Sequence, residues 1–159
     1  MNAPRQPWRP HPDADAFLDA LAELGAPERY YALVDGAAGE FGELSELGEL
    51  AALLEREGLE ATWFRRERFW RHVRVDGDRT WWLHLTDAAS IELGLYLRTP
   101  RGDLGGPVHA LVLKAARRRS RAFRRAPPYP RLPRRTACVR FARWLVDAAA
   151  GVAGVRFDA

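Results

Sequence analysis

His72, His84 and Glu92 are the residues of this chain with the widest chemical range. An imidazole titrates near neutral pH and an adjacent carboxylate can orient and charge it, so such a trio suits general acid–base work. Two histidines and one carboxylate are also a metal-ligand set. The surrounding sequence argues against both uses. No serine or cysteine nucleophile is placed beside the histidines, and there is no HExxH, no Walker loop and no GxGxxG. The one cysteine, Cys138, excludes an intramolecular disulfide and a cysteine-rich zinc site. It falls in a helical pattern with Phe141, Ala142 and Leu145, where a thiol acts as a small buried hydrophobe. No catalytic residue, metal ligand or cofactor is assigned, and the chain reads as a binding module rather than an enzyme.

Binding chemistry is better represented. Residues 1–60 hold 13 acids and 4 arginines, net −9, while residues 61–159 hold 21 bases and 8 acids, net +13, together the +4 of the whole chain. Such polarity marks an anion-binding half, or acidic helices that pack against a basic one. The densest run contains Lys114, Arg117, Arg118, Arg119, Arg121, Arg124 and Arg125, followed by Pro127-Pro128-Tyr129-Pro130 and Arg131, Arg134 and Arg135. Its density favours an anionic partner. Lys114 is the only lysine, which points to coding bias as one source of the arginines.

The elements that must position these residues centre on Trp63 to Thr99. Around Asp76-Gly77-Asp78 a three-residue loop pairs Val75 with Arg79, Val73 with Trp81, Arg71 with Leu83 and Phe69 with Leu85, leaving one face nearly all apolar. An Asp76-Gly77 turn mixes the faces, and burial is expected to enforce the cleaner register. Ser90 to Thr99 alternates Ile91, Leu93, Leu95 and Leu97 with polar positions, the period of a half-buried strand. The opposite face then carries Trp70, His72, Arg74, Trp82, His84, Glu92, Tyr96 and Arg98. Pairing Leu85 with Ile91 sets Glu92 opposite His84 and Trp82 over Gly94.

Helices flank this meander. Asp13 is the expected N-cap of a helix carrying Phe17, Leu18, Leu21 and Leu24 and stopped by Gly25. Pro27 opens a second helix through Tyr30, Tyr31, Leu33 and Val34, although the same residues suit a strand. A third starts at Ser45 and ends at Gly58. Gly105-Gly106-Pro107 introduces a fourth, with Val108, Leu111, Val112 and Ala115 on one side. Free amides at its start, with Arg98 and Arg101, offer a phosphate site. The last helix spans about Arg134 to Ala150. Residues 59–69 fit either a helix or a strand. If helical, the order of helix from Ser45, short turn, arginine-rich helix and hairpin loosely resembles a winged helix-turn-helix over residues 45–86. That resemblance implies duplex DNA binding through Arg65, Arg66, Arg68 and Arg71.

The expected fold is α+β, a three-stranded or possibly four-stranded antiparallel meander packed with N- and C-terminal helices. Residues 1–12, with four prolines, read as a flexible arm and 13–159 as a single domain. No apolar run nears the roughly 20 residues of a membrane span, and no apolar core follows Arg5 as in a secretory signal, so a cytoplasmic protein is expected. The leading functional reading is a module for an anionic partner, nucleic acid above all or an acidic protein surface. Its expected contacts are Arg68, Trp70, His72, Arg74, Trp82, His84, Arg98, Arg117, Arg118, Arg119, Arg121, Arg124 and Arg125. Arginines neutralise phosphates and exposed rings stack on bases. The alternative is a protein-interaction module such as an inhibitor, immunity or adaptor protein, since aromatic and arginine residues are enriched at interface hot spots.

Overall fold

The computed structural model describes residues 11–36, 47–77, 79–86, 93–123 and 135–152. Helices α1 (Ala14–Glu23), α2 (Ala26–Gly36) and α3 (Leu47–Arg56) come first. Five strands follow: β1 (Ala61–Phe64), β2 (Phe69–Asp76), β3 (Arg79–Thr86), β4 (Leu93–Thr99) and β5 (Gly102–Pro107). Helices α4 (Val108–Arg119) and α5 (Arg135–Val152) complete the order. The strands form one antiparallel sheet in chain order, so every connection joins neighbours. The sheet therefore has five strands, not the three or four expected.

Both extra strands lie at the edges, where local composition is a poor guide. Trp63 and Phe64 have ring spacing that also fits a helix, but β1 gains a ladder with β2, pairing Trp63 with Trp70 and Phe64 with Phe69. That strand pair also replaces the second helix on which the winged-helix likeness depends. Strand β5 reads Gly-Asp-Leu-Gly-Gly-Pro, a turn by composition, yet Tyr96 pairs with Gly105 and Leu97 with Leu104. A Cβ on Gly105 would lie 2.2 Å from the Leu95 carbonyl oxygen, and its φ is +126°. The close approach of two backbones needs a glycine there.

The N-terminal and central helices arise where apolar spacing placed them. Asp13 stands at the N-cap of α1 but makes no capping bond. Its buried carboxylate instead accepts from the Arg101 guanidinium, in the β4–β5 turn. Ser45 lies outside the described residues, so its capping role is not addressed by the structure.

Among the described residues, helix–sheet packing falls on one face. Helix α3 meets β1, α4 meets β4 and β5, and α5 meets β3. Beneath them Trp81, Leu83, Leu85, Leu93, Leu95 and Leu97 are buried, and α4 and α5 add Val108, Val112, Cys138, Phe141 and Leu145. Helices α1 and α2 pack on α4 and α5 as an outer part of the same layer. Each apolar side chain buried this way is worth about 1.5–3 kcal/mol, which is why the leucine rows of β3 and β4 dictate which face the helices take.

The β2–β3 register differs from the expected one. Asp76 pairs with Arg79, Val75 with Thr80, Val73 with Trp82, Arg71 with His84 and Trp70 with Leu85. The Asp76–Arg79 pairing makes the connection tight, and Gly77 takes the left-handed φ of +61° that a tight hairpin favours at its first position. A one-residue shift turns every β2 side chain over. Trp70, His72 and Arg74 now point to the helix side, and Phe69, Arg71, Val73 and Val75 to the other. The β3–β4 register also shifts, with Leu85 on Leu93, His84 on Gly94 and Trp82 on Tyr96. Glu92 lies outside the described residues.

Candidate functional site

The helix-free face of the sheet is the candidate site, and the β2 register assembles it. A row of rings crosses the strands there. Phe64 stacks on Phe69 with centroids 4.9 Å apart, Phe69 on His84 at 4.6 Å, His84 meets Tyr96 at 5.2 Å, and Tyr96 lies 6.2 Å from Trp82. Each ring is half-buried. A Cβ on Gly94 would lie 2.8 Å from the Tyr96 ring, so this position leaves room for Tyr96 and not, as expected, for Trp82.

Two guanidinium groups are set into the row. Arg71 lies over Phe64 at 4.5 Å and near Phe69 at 5.4 Å, and its Nε donates to His84 Nε2 at 3.0 Å. The histidine must therefore be neutral, with its proton on Nδ1. Burial, and then the Arg71 cation, hold the His84 pKa below its ordinary value. No carboxylate pairs with Arg71 among the described residues. Arg98 lies 5.1 Å over Trp82 and donates to both oxygens of Asp103, at 3.0 and 3.2 Å. Those hydrogen bonds draw the Asp103 pKa down.

At the β2–β3 end of the same face, Val73 and Val75 are 50% and 70% exposed. With Leu24, they are the exposed large hydrophobic side chains among the described residues. They continue the row, since Val73 pairs with Trp82 and Val75 with Thr80.

The other expected contacts disperse. Trp70 packs with Trp63 at 5.2 Å on the helix side, its buried Nε1 unpartnered. His72 Nδ1 is 2.8 Å from the Glu60 carbonyl oxygen, and Arg74 reaches Asp147 of α5 at 3.8 Å. With His72 and His84 on opposite faces, they cannot share a substrate or an ion. No group of three His, Cys, Asp or Glu residues able to hold a metal occurs among the described residues. The Cys138 thiol is fully buried and pushed up to about 12, so it is not a nucleophile near neutral pH.

Among the described residues, Arg118, Arg119 and Arg121 of the arginine-rich segment are engaged within the molecule. Arg118 pairs with Asp15 at 3.0 Å and binds Asp19 through both oxygens, and Arg119 pairs with Glu28 at 2.9 Å. The Arg118 hydrogen bond holds the Asp19 carboxyl below its usual range. Arg117 is exposed, Arg121 is exposed and engaged, and Arg124 and Arg125 lie outside the described residues. Acidic α1 and α2 thus neutralise basic α4, the simpler source of the charge polarity. Arg98 and Arg101, expected to assist a phosphate site, are likewise committed to Asp103 and Asp13.

Arg68 is exposed in the β1–β2 turn and adopts φ +55°, a left-handed conformation few arginines take. It shares that turn with Arg65 and Arg66, and none of the three has an ion-pair partner among the described residues. Phe64, Phe69, Val73 and Val75 are site residues that the sequence did not suggest, and Arg71 entered only through the winged-helix likeness. The signal that would have found the β2 residues is Gly77 as the first residue of a tight hairpin connection. No family model, curated protein or solved structure matches the chain. No helix among the described residues is long and apolar enough to cross a membrane.

Proposed function

We propose that this protein is an interaction module that binds a partner protein through the helix-free face of its sheet. The partner covers Val73, Val75 and Trp82 with apolar side chains and sets a carboxylate against Arg71. The observation that carries this reading is the exposure of Val73 and Val75, at 50% and 70%, continuous with a ring layer whose Arg71 meets no carboxylate among the described residues. Aromatic rings, not valines, are the usual stacking platform for bases, whereas an apolar centre with aromatic and arginine anchors is the composition of an interface core. The ring faces also favour it, because Phe64, Phe69 and His84 are stacked on one another and leave mainly edges to a ligand.

A single-stranded nucleic acid is the second reading, favoured by Arg65, Arg66 and Arg68 beside Phe64 and Phe69, exposed and without an ion-pair partner among the described residues. Affinity capture followed by titration of the purified partner separates the two. Val75→Asp should weaken the partner complex by about 1–3 kcal/mol, and Arg71→Ala by a similar amount. Fluorescence anisotropy with a labelled oligonucleotide at low salt tests the second reading. Oligonucleotide binding that Arg65→Glu/Arg66→Glu abolishes and Val75→Asp leaves intact would replace the protein-binding reading.

A further inference from the structure

The sheet ends in two edges of different character. Strand β5 carries Asp103 and Pro107, a charge and a proline of the kind that blunts strand addition. Strand β1, Ala-Thr-Trp-Phe, has no charge, proline or glycine, and among the described residues β2 is its only neighbour. Its outer row of backbone donors and acceptors is an open template.

Charge then distinguishes the two ends of β1. Glu55, at the end of α3, and Glu60 precede the strand, and both are exposed. Arg65, Arg66 and Arg68 follow it, also exposed. None of these five has an ion-pair partner among the described residues, in contrast to the arginines of α4. An antiparallel pairing of two such strands sets each acidic end against the other's basic end. Parallel pairing would set like against like. Glu60 and Arg66 stand three residues either side of Trp63, so a two-fold axis at Trp63 brings Glu60 of one copy opposite Arg66 of the other, twice. The same axis brings the two half-buried Trp63 rings together.

A cavity of about 510 Å³ between α3 and β1 adds a receptor to this edge. It is lined by Leu54, Glu55, Leu59, Glu60, Ala61 and Trp70. Two carboxylates and an indole are the groups that hold a guanidinium, by charge-assisted hydrogen bonds and over the ring face.

We propose that the protein forms a two-fold homodimer by antiparallel addition of β1 to β1 of a second copy, with the β1–β2 turn arginines of each copy held by Glu55 and Glu60 of the other. The result is a continuous ten-stranded sheet with both helix-free faces on one side, an isologous contact. This inference is independent of the protein-binding reading, which uses the face of the sheet and not its edge; only the nucleic-acid reading shares Arg65 and Arg66 with it.

Sedimentation analysis over a concentration series tests it. The unaltered protein should approach twice its 18.0 kDa chain mass, and rising salt should weaken the association. Arg65→Glu/Arg66→Glu and Glu55→Arg/Glu60→Arg should each weaken the dimer by roughly tenfold or more through repulsion at two symmetric contacts. An equimolar mixture of the two variants restores opposite charges at both contacts and should associate as well as the unaltered protein. Circular dichroism melts establish that each variant is folded. A protein monomeric at every concentration, variants that dimerise unchanged, or a mixture that stays monomeric would each overturn the proposal.

Discussion

At the scale of single residues, His84 shows how one hydrogen bond sets a charge state. Its Nε2 accepts from Arg71 while Phe69 and Tyr96 cover the ring, so protonation would remove the acceptor and bury a second cation beside the first. The folded pKa is lowered from 6.5, and the unfolded chain takes up this proton more readily. The stabilising contribution is therefore complete above 6.5 and is lost as the pH falls through the folded value. His84→Gln removes that titration, and urea melts over a pH series should show a shallower loss of stability on acidification than in the unaltered protein. Identical pH dependence in the two would show that His84 is not perturbed. The imidazole was legible as titratable from its type alone. Its partner was not, because Arg71 was assigned to the opposite face.

Among the elements, β5 depends most on the backbone of its neighbour. Because a Cβ at position 105 meets the Leu95 carbonyl and Tyr96 Cα, both backbone atoms, no side-chain rotation can relieve it. Gly105→Ala should cost about 3 kcal/mol, from positive-φ strain and overpacking together. Hydrogen exchange should show protection lost first in β5 and along the Leu95–Leu97 segment of β4. Undiminished protection there would mean that β5 is not held by this approach. Composition could not reveal such a strand, since its glycines pack no side chains and simply permit contact. The helices were legible for the opposite reason: Phe17 and Leu21 of α1, or Leu111 and Ala115 of α4, recur at the spacing that one buried face requires. Where α1 departed from expectation, at Asp13, a distant arginine outcompeted the local amides for the carboxylate.

For the molecule as a whole, the one-sided placement of helices makes adjacent tryptophans inequivalent. Trp81 is 1% exposed under the helices, while Trp82 lies half-covered on the open face. Trp81→Ala should destabilise the fold by about 3–5 kcal/mol, and Trp82→Ala by about half that or less. Thermal melts decide this, and equal losses would mean that the second face is also covered. The alternation of leucines in β3 and β4, the apolar stripes of the helices and the antiparallel turn at Gly77 are written in the sequence by itself, because each is a periodicity within one segment read against water. The orientation of β2, the pairing of Arg118 and Arg119 with α1 and α2, and the existence of β5 were decided only by tertiary structure. Each depends on what lies across a strand or between helices. In β2 both alternating sets contain apolar residues, so packing of Trp70 against the core and a tight turn outweigh the burial of Val73 and Val75, and a shift of one residue exchanged the candidate site.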